Sequence, residues 1–146
     1  MIDIGSKATV KRFARARGEI QLKPRTVELI RQGKVDKGDV ITVARVAGTN
    51  AVKGTSALIP MCHPIPIDYV GLDFEPKKDS VQCVCQVQAR HRTGVEMEAL
   101  VGTATALLTI WDMVKYLEKD RAGQYPDTKI TNIQVTEKTK NGIQRA

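Results

Sequence analysis

Glu96 and Glu98 stand just before, and Asp112 and Lys115 just after, a run of thirteen uncharged residues from Ala99 to Trp111. A carboxylate beside an ammonium is the equipment of general acid–base chemistry, because each partner shifts the other's pKa and both lie within reach of one proton. If the stretch is helical, Asp112 and Lys115 lie about 60° apart, one turn from each other. Glu98 and Asp112 point within about 40° of one direction but lie about 21 Å apart along the axis. Glu96 and Glu98 point to nearly opposite sides. One small reacting centre in one chain cannot touch both ends, so either the substrate is long or the site is assembled between subunits. A structural alternative stays open. The glutamates would then complement the helix dipole, and Asp112–Lys115 would be a surface pair worth a few tenths of a kcal/mol.

A second group lies in LIPMCHPIPI, Leu58 to Ile67. Cys62 and His63 are adjacent, and neighbours in extended chain project oppositely, which argues against a thiol–imidazole dyad. His63 alone suits hydrogen bonding to a phosphate or a base, on a segment stiffened by prolines. His91, in ARHRTG, reads as solvated charge. Lys37 in DKGD and Lys53 in AVKGT adjoin glycine turns, where a cation can approach a ligand closely. Neither a phosphate-binding GxxxxGK[ST] loop nor a GxGxxG turn is present.

The elements that must position these groups follow from pattern. GEIQLK (Gly18–Lys23) reads as a short strand, and Pro24 opens a helix closed by Gly33. A longer helix starts at about Asp39, its cap. PMCHPIPI is irregular or extended. IDYVGLDFEP and SVQCVCQVQAR form a hairpin, in which Val81, Cys83, Cys85 and Val87 alternate with glutamines as one half-buried face. The long helix follows, then the strand KITNIQVTEK and a basic tail, KTKNGIQRA, expected to be mobile. The order is βαββαβ, the plan of an α+β ferredoxin-like fold: an antiparallel sheet with helices on one face. The 146 residues suit one domain spanning residues 1–146.

Composition narrows the function. With 23 Lys+Arg against 16 Asp+Glu, the net charge of +7 favours a polyanionic partner. Two Phe, three Tyr and one Trp are few for a protein that stacks single-stranded bases, so a small phosphorylated substrate accounts for the charge at least as well. Three cysteines without framework spacing are not a secreted disulfide scaffold, Cys83 and Cys85 read as core packing of a strand, and Cys62, Cys83 and Cys85 with a histidine lack zinc-ligand spacing. The polar start and the lack of any stretch near the ~20 apolar residues of a membrane span lead to the expectation of a cytoplasmic protein.

The pieces MIDIGSKA, KGDVITVARVAGTNAVKGT, LIPMCHPIPI, TGVEMEAL and LTIWDMVK, in this order and spanning Asp3 to about Lys138, closely resemble the cyclic pyranopterin monophosphate synthase family of molybdenum-cofactor biosynthesis. The resemblance implies a ferredoxin-like subunit of a homohexamer, a trimer of dimers, with active sites where subunits meet. It also implies a lyase that rearranges 3′,8-cyclo-7,8-dihydro-GTP to a pyranopterin, closes a cyclic phosphate and expels pyrophosphate. By motif, Asp112, Lys115 and Lys37 take the catalytic positions. Met61, Cys62, His63, Glu96, Met97 and Glu98 take the substrate side, with Arg12, Lys53 and Lys138 as further cations. EKTKNG departs from the family's glycine-rich form at Lys138. No metal, cofactor, nucleic acid or membrane is expected as a partner. The alternative from another class is a basic ferredoxin-like RNA-binding module, and a third is a structural subunit with a degenerate site.

Overall fold

Ala14, Ala16 and Ile20 on β1 (Val10–Gln21) and Val81, Cys83, Cys85, Val87 and Ala89 on β3 (Ser80–His91) alternate with polar neighbours and are fully buried. This alternation gives the sheet one apolar face, and the helices cover it. The computed structural model describes residues 1–140. Between β1 and β3 come α1 (Pro24–Arg31), α2 (Val40–Lys53), α3 (Thr55–Leu58) and β2 (Tyr69–Pro76); α4 (Glu96–Glu118) and β4 (Lys129–Lys140) follow. Neighbouring strands are antiparallel in the order β2-β3-β1-β4, so the helical crossover leads from β1 to β2 and β3 lies between those two strands, as in the split βαβ arrangement of ferredoxin-like folds.

Several boundaries differ from the expectation. β1 begins at Val10 rather than Gly18, and pairs with β3 from Val10–His91 to Gln21–Ser80. Its opening stretch, VKRFARAR, hides its period because Phe13 shares the open-face parity with Lys11, Arg15 and Arg17, while Arg12 shares the parity of the small buried Ala14 and Ala16. The helix begun at Asp39 breaks at Gly54, leaving α3 as a separate turn. Asp39 is the cap expected: Oδ1 accepts from the Thr42 amide at 3.0 Å and Oδ2 from the Thr42 hydroxyl at 2.7 Å. The last strand runs on to Lys140, so Lys138–Lys140 of the supposed tail are sheet; residues 141–146 of that tail lie outside the described residues.

α4 is long and apolar enough to pass for a membrane span, against the expectation, yet half of its apolar window is buried inside the folded chain. It reaches the sheet through small residues. A methyl group on Gly102 would meet Val52 Cγ2 at 2.5 Å and Cys85 Sγ at 2.9 Å. Gly102→Ala should therefore lower stability by about 1–3 kcal/mol through overpacking, despite the higher helix propensity of alanine. Urea denaturation at fixed protein concentration measures this, and a stability equal to or above the parent's would show that the helix can move aside.

The ends of α4 and α1 cap each other. Glu118 is fully buried; its carboxylate accepts from the Thr26 hydroxyl at 2.5 Å, the Thr128 hydroxyl at 2.6 Å and the Lys23 amide at 3.2 Å. Lys23, the cap residue of α1, offers no side-chain cap of its own, so Glu118 satisfies that helix start from a distance. In return, Lys23 Nζ donates to the Leu117 carbonyl at 3.2 Å.

Candidate active site

Asp112 is the hub of one cluster. Its Oδ1 accepts from Lys115 Nζ at 2.7 Å and its Oδ2 from Lys37 Nζ at 3.3 Å, while Lys37 also donates to the Asp112 carbonyl at 2.9 Å. Each carboxylate oxygen thus faces one ammonium. The Lys115 bond, then the Lys37 bond, hold Asp112 below the usual carboxylate range, and Asp112 in turn pushes Lys115 up. At rest the group is a carboxylate between two ammoniums, with all three side chains open to solvent. Lys37 belongs to the turn between α1 and α2, so the cluster is a tertiary one.

The second cluster surrounds a cavity of about 480 Å³ at the other end of α4. Met61, Cys62 and His63 form one wall, Glu96, Met97 and Glu98 another, and Ile2, Ile4 and Lys7 of the N-terminal segment a third. Cys62 and His63 both line it, contrary to the argument from extended chain. The backbone turns here instead: the Cys62 amide donates to the Ile59 carbonyl at 3.0 Å. Burial, and then the charge of Glu98, push the Cys62 thiol up, which disfavours the thiolate.

Glu96 and Glu98 border the same cavity although a helical wheel sets them on opposite sides. Both occupy the first turn of α4, and the cavity wraps around that open helix end. The carboxylate of Glu96 folds back into the space that the missing side chain of Gly94 leaves. Burial pushes Glu96 up, but the ammonium of Lys138, 2.9 Å away, and the nearby Arg12 outweigh it and hold the group below its ordinary value. Glu98 is 3% exposed and has no ion pair among the described residues; burial raises it, and the charge of Glu96 adds to the rise. The two neighbouring carboxylates are thus pushed in opposite directions.

Arg12 donates to the carbonyls of His91 at 3.3 Å and Arg92 at 2.9 Å, which fixes the connection between β3 and α4. His91 is not solvated charge: its Nδ1 is buried without a partner, and burial, then His63, Arg92 and Arg12, push its pKa down. Lys53 is exposed at the end of α2 and belongs to neither cluster. Sequence reasoning missed Lys7 and Ile4 as cavity residues; their stretch, MIDIGSKA, had signalled only as a motif. Among the described residues no group of three or more His, Cys, Asp and Glu side chains is arranged to hold a metal ion.

The two clusters are separated by the length of α4, about 21 Å from Glu98 to Asp112 by helical rise, and Lys37, Asp112 and Lys115 do not line the 480 Å³ cavity. Fold and side chains together describe an α+β protein with a carboxylate–lysine cluster at one end of α4 and a cavity sized for a small molecule at the other. The chain belongs to the MoaC family, whose profile matches residues 1–141. It is 54% identical over 140 residues to a probable cyclic pyranopterin monophosphate synthase of Pyrococcus abyssi, covering 96% of this chain and 88% of that protein. It is 53% identical to the protein of the same description in Sulfolobus acidocaldarius, over 97% of this chain and 99% of that one. For the one in Methanosarcina acetivorans the identity is 56%, over 96% and 89%.

Proposed function

We propose that this chain is a cyclic pyranopterin monophosphate synthase: a lyase that converts 3′,8-cyclo-7,8-dihydro-GTP to cyclic pyranopterin monophosphate and releases pyrophosphate, in molybdenum-cofactor biosynthesis. The observation that carries the reading is the carboxylate of Asp112 held between Lys37 and Lys115, in a chain of this family. Asp112, ionised, takes a proton from the rearranging substrate; the lysines beside it return protons and offset negative charge as the phosphate ring closes. In the cavity, Glu98 meets the N–H edge of the guanine-derived ring, Met61 and Met97 flank it, and Cys62 and His63 complete the wall. Glu96 holds Lys138; Lys138 and Arg12, with Lys53 from outside both clusters, supply positive charge toward the triphosphate and the departing pyrophosphate, and His63 offers a hydrogen bond.

Because the two clusters lie at opposite ends of α4, the working site joins the Asp112 cluster of one subunit to the cavity of another. The assembly is a cytoplasmic homohexamer, a trimer of dimers, acting without a resident metal or cofactor. Light scattering at micromolar concentration should give about six times the 16.1 kDa of one chain; a mass of one chain with full activity would remove the shared site. The activity itself is tested by incubation with enzymatically prepared cyclo-GTP. Pyrophosphate and the cyclic pyranopterin should appear in equal amounts. Absence of product, together with tight binding of unstructured RNA, would favour the RNA-binding alternative. That alternative has the open sheet face to use, but there Arg15 is paired with Glu137 and lies over Phe13, 5.4 Å from the ring centroid, which leaves that ring covered.

A further inference from the structure

Lys37 reaches Asp112 from a turn of irregular backbone, and a long lysine side chain on such a turn needs its base held still to keep one geometry. Within the turn, the Gly38 amide donates to the Val35 carbonyl at 2.9 Å, and Val35 is buried. Neither contact ties residues 36 and 37 to α4. That tie comes from Tyr116, whose hydroxyl oxygen accepts the backbone N–H of Asp36 at 2.9 Å. Asp36 directly precedes Lys37, and Tyr116 follows Asp112 by one helical turn on the same face, about 40° around. α4 thus grips the turn twice: Asp112 takes the ammonium, and Tyr116 takes the amide next to it. We propose that Tyr116 is a positioning residue for the reaction, fastening the 34–39 turn so that Lys37 stays on Asp112. It touches no reacting atom in this arrangement; it acts through Lys37, and the proposal rests on the acid–base role given above to Lys37 and Asp112.

Tyr116→Phe removes the acceptor and keeps the ring, so it isolates this hydrogen bond. Four proteins are compared by single-turnover formation of product and by substrate titration: parent, Tyr116→Phe, Lys37→Ala, and the double variant. Tyr116→Phe should lower the maximal rate by about 10-fold with little change in KM, within the ~10²-fold that a misplaced group can cost. Hydrogen exchange at the Asp36 amide should speed up in the same protein. In the Lys37→Ala background, loss of the hydroxyl should have no further effect, because a residue acting only through Lys37 has nothing left to position. If Lys37→Ala keeps the parent rate, the acid–base reading itself fails and the proposal falls with it. If Lys37→Ala is crippled while Tyr116→Phe keeps the parent rate, or costs the same factor in both backgrounds, the acid–base reading stands and the positioning role is overturned. A Tyr116→Phe protein that is only less thermally stable, at an unchanged rate, overturns it equally.

Discussion

Asp112→Asn is expected to cut turnover by about 10²-fold or more while fold and assembly persist, the usual contribution of a positioned acid or base. The fold should survive because the Asp112 side chain is 60% exposed and asparagine has nearly its shape. The chemistry should not, because each carboxylate oxygen accepts from a different lysine, Lys115 at 2.7 Å and Lys37 at 3.3 Å. An amide keeps one acceptor and turns an N–H₂ toward the other ammonium. The same bonds fix the pH dependence. A depressed folded-state pKa keeps Asp112 ionised above its ordinary value and lets it protonate only as pH falls through the lowered one. Any acidic limb of activity that Asp112 causes should lie below the ~3.9 of a free aspartate, and asparagine should abolish it. Lys115→Ala should be similarly damaging and the double variant little worse, since groups acting as a unit are not additive. A mere surface pair predicts the reverse, with small stability changes and untouched turnover. Near-parental turnover of Asp112→Asn would remove this residue from the mechanism.

Glu118→Ala should cost about 3 kcal/mol or more of stability, because each buried donor left unpaired costs roughly 1–3 kcal/mol and little water can reach this site. The deserted donors are the hydroxyls of Thr26 and Thr128 and the amide of Lys23, and the carboxylate that served them is fully buried. Glu118→Gln should fall between parent and alanine, since one amide oxygen can still accept but the N–H₂ group faces donors. Denaturant titration of the three proteins at one concentration gives the order. Equal stabilities would mean that α1 starts without help from α4. Turnover per folded protein serves as a second reading and should stay close to the parent's, because the Glu118 carboxylate bonds to Lys23, Thr26 and Thr128 and to no residue of either cluster.

Local chemistry made much of this protein legible before any coordinates. Pro24 and Gly33 bracket α1 because one lacks an N–H where none is used and the other accepts a positive φ, here +64°. Asp39 marks the start of α2 because its carboxylate bonds within its own turn. The alternation of Val81, Cys83, Cys85 and Val87 named the core face of β3. The spacing of Glu98 and Asp112 already set these two residues about 21 Å apart if the stretch is helical, since helical rise is the same wherever a helix lies. Tertiary structure alone decided what depends on groups far apart in the chain. Lys37 finds Asp112 across 75 positions, Lys138 finds Glu96 across 42, and Glu118 caps a helix that begins 95 residues earlier. The chain turn at Cys62 and His63 and the ion pair with Lys138 that sets Glu96 apart from the buried Glu98 in pKa belong to the same class. Charge, period and turn residues act within a few positions of themselves, whereas desolvation and ion pairing depend on which distant segments the packed sheet and helices bring alongside.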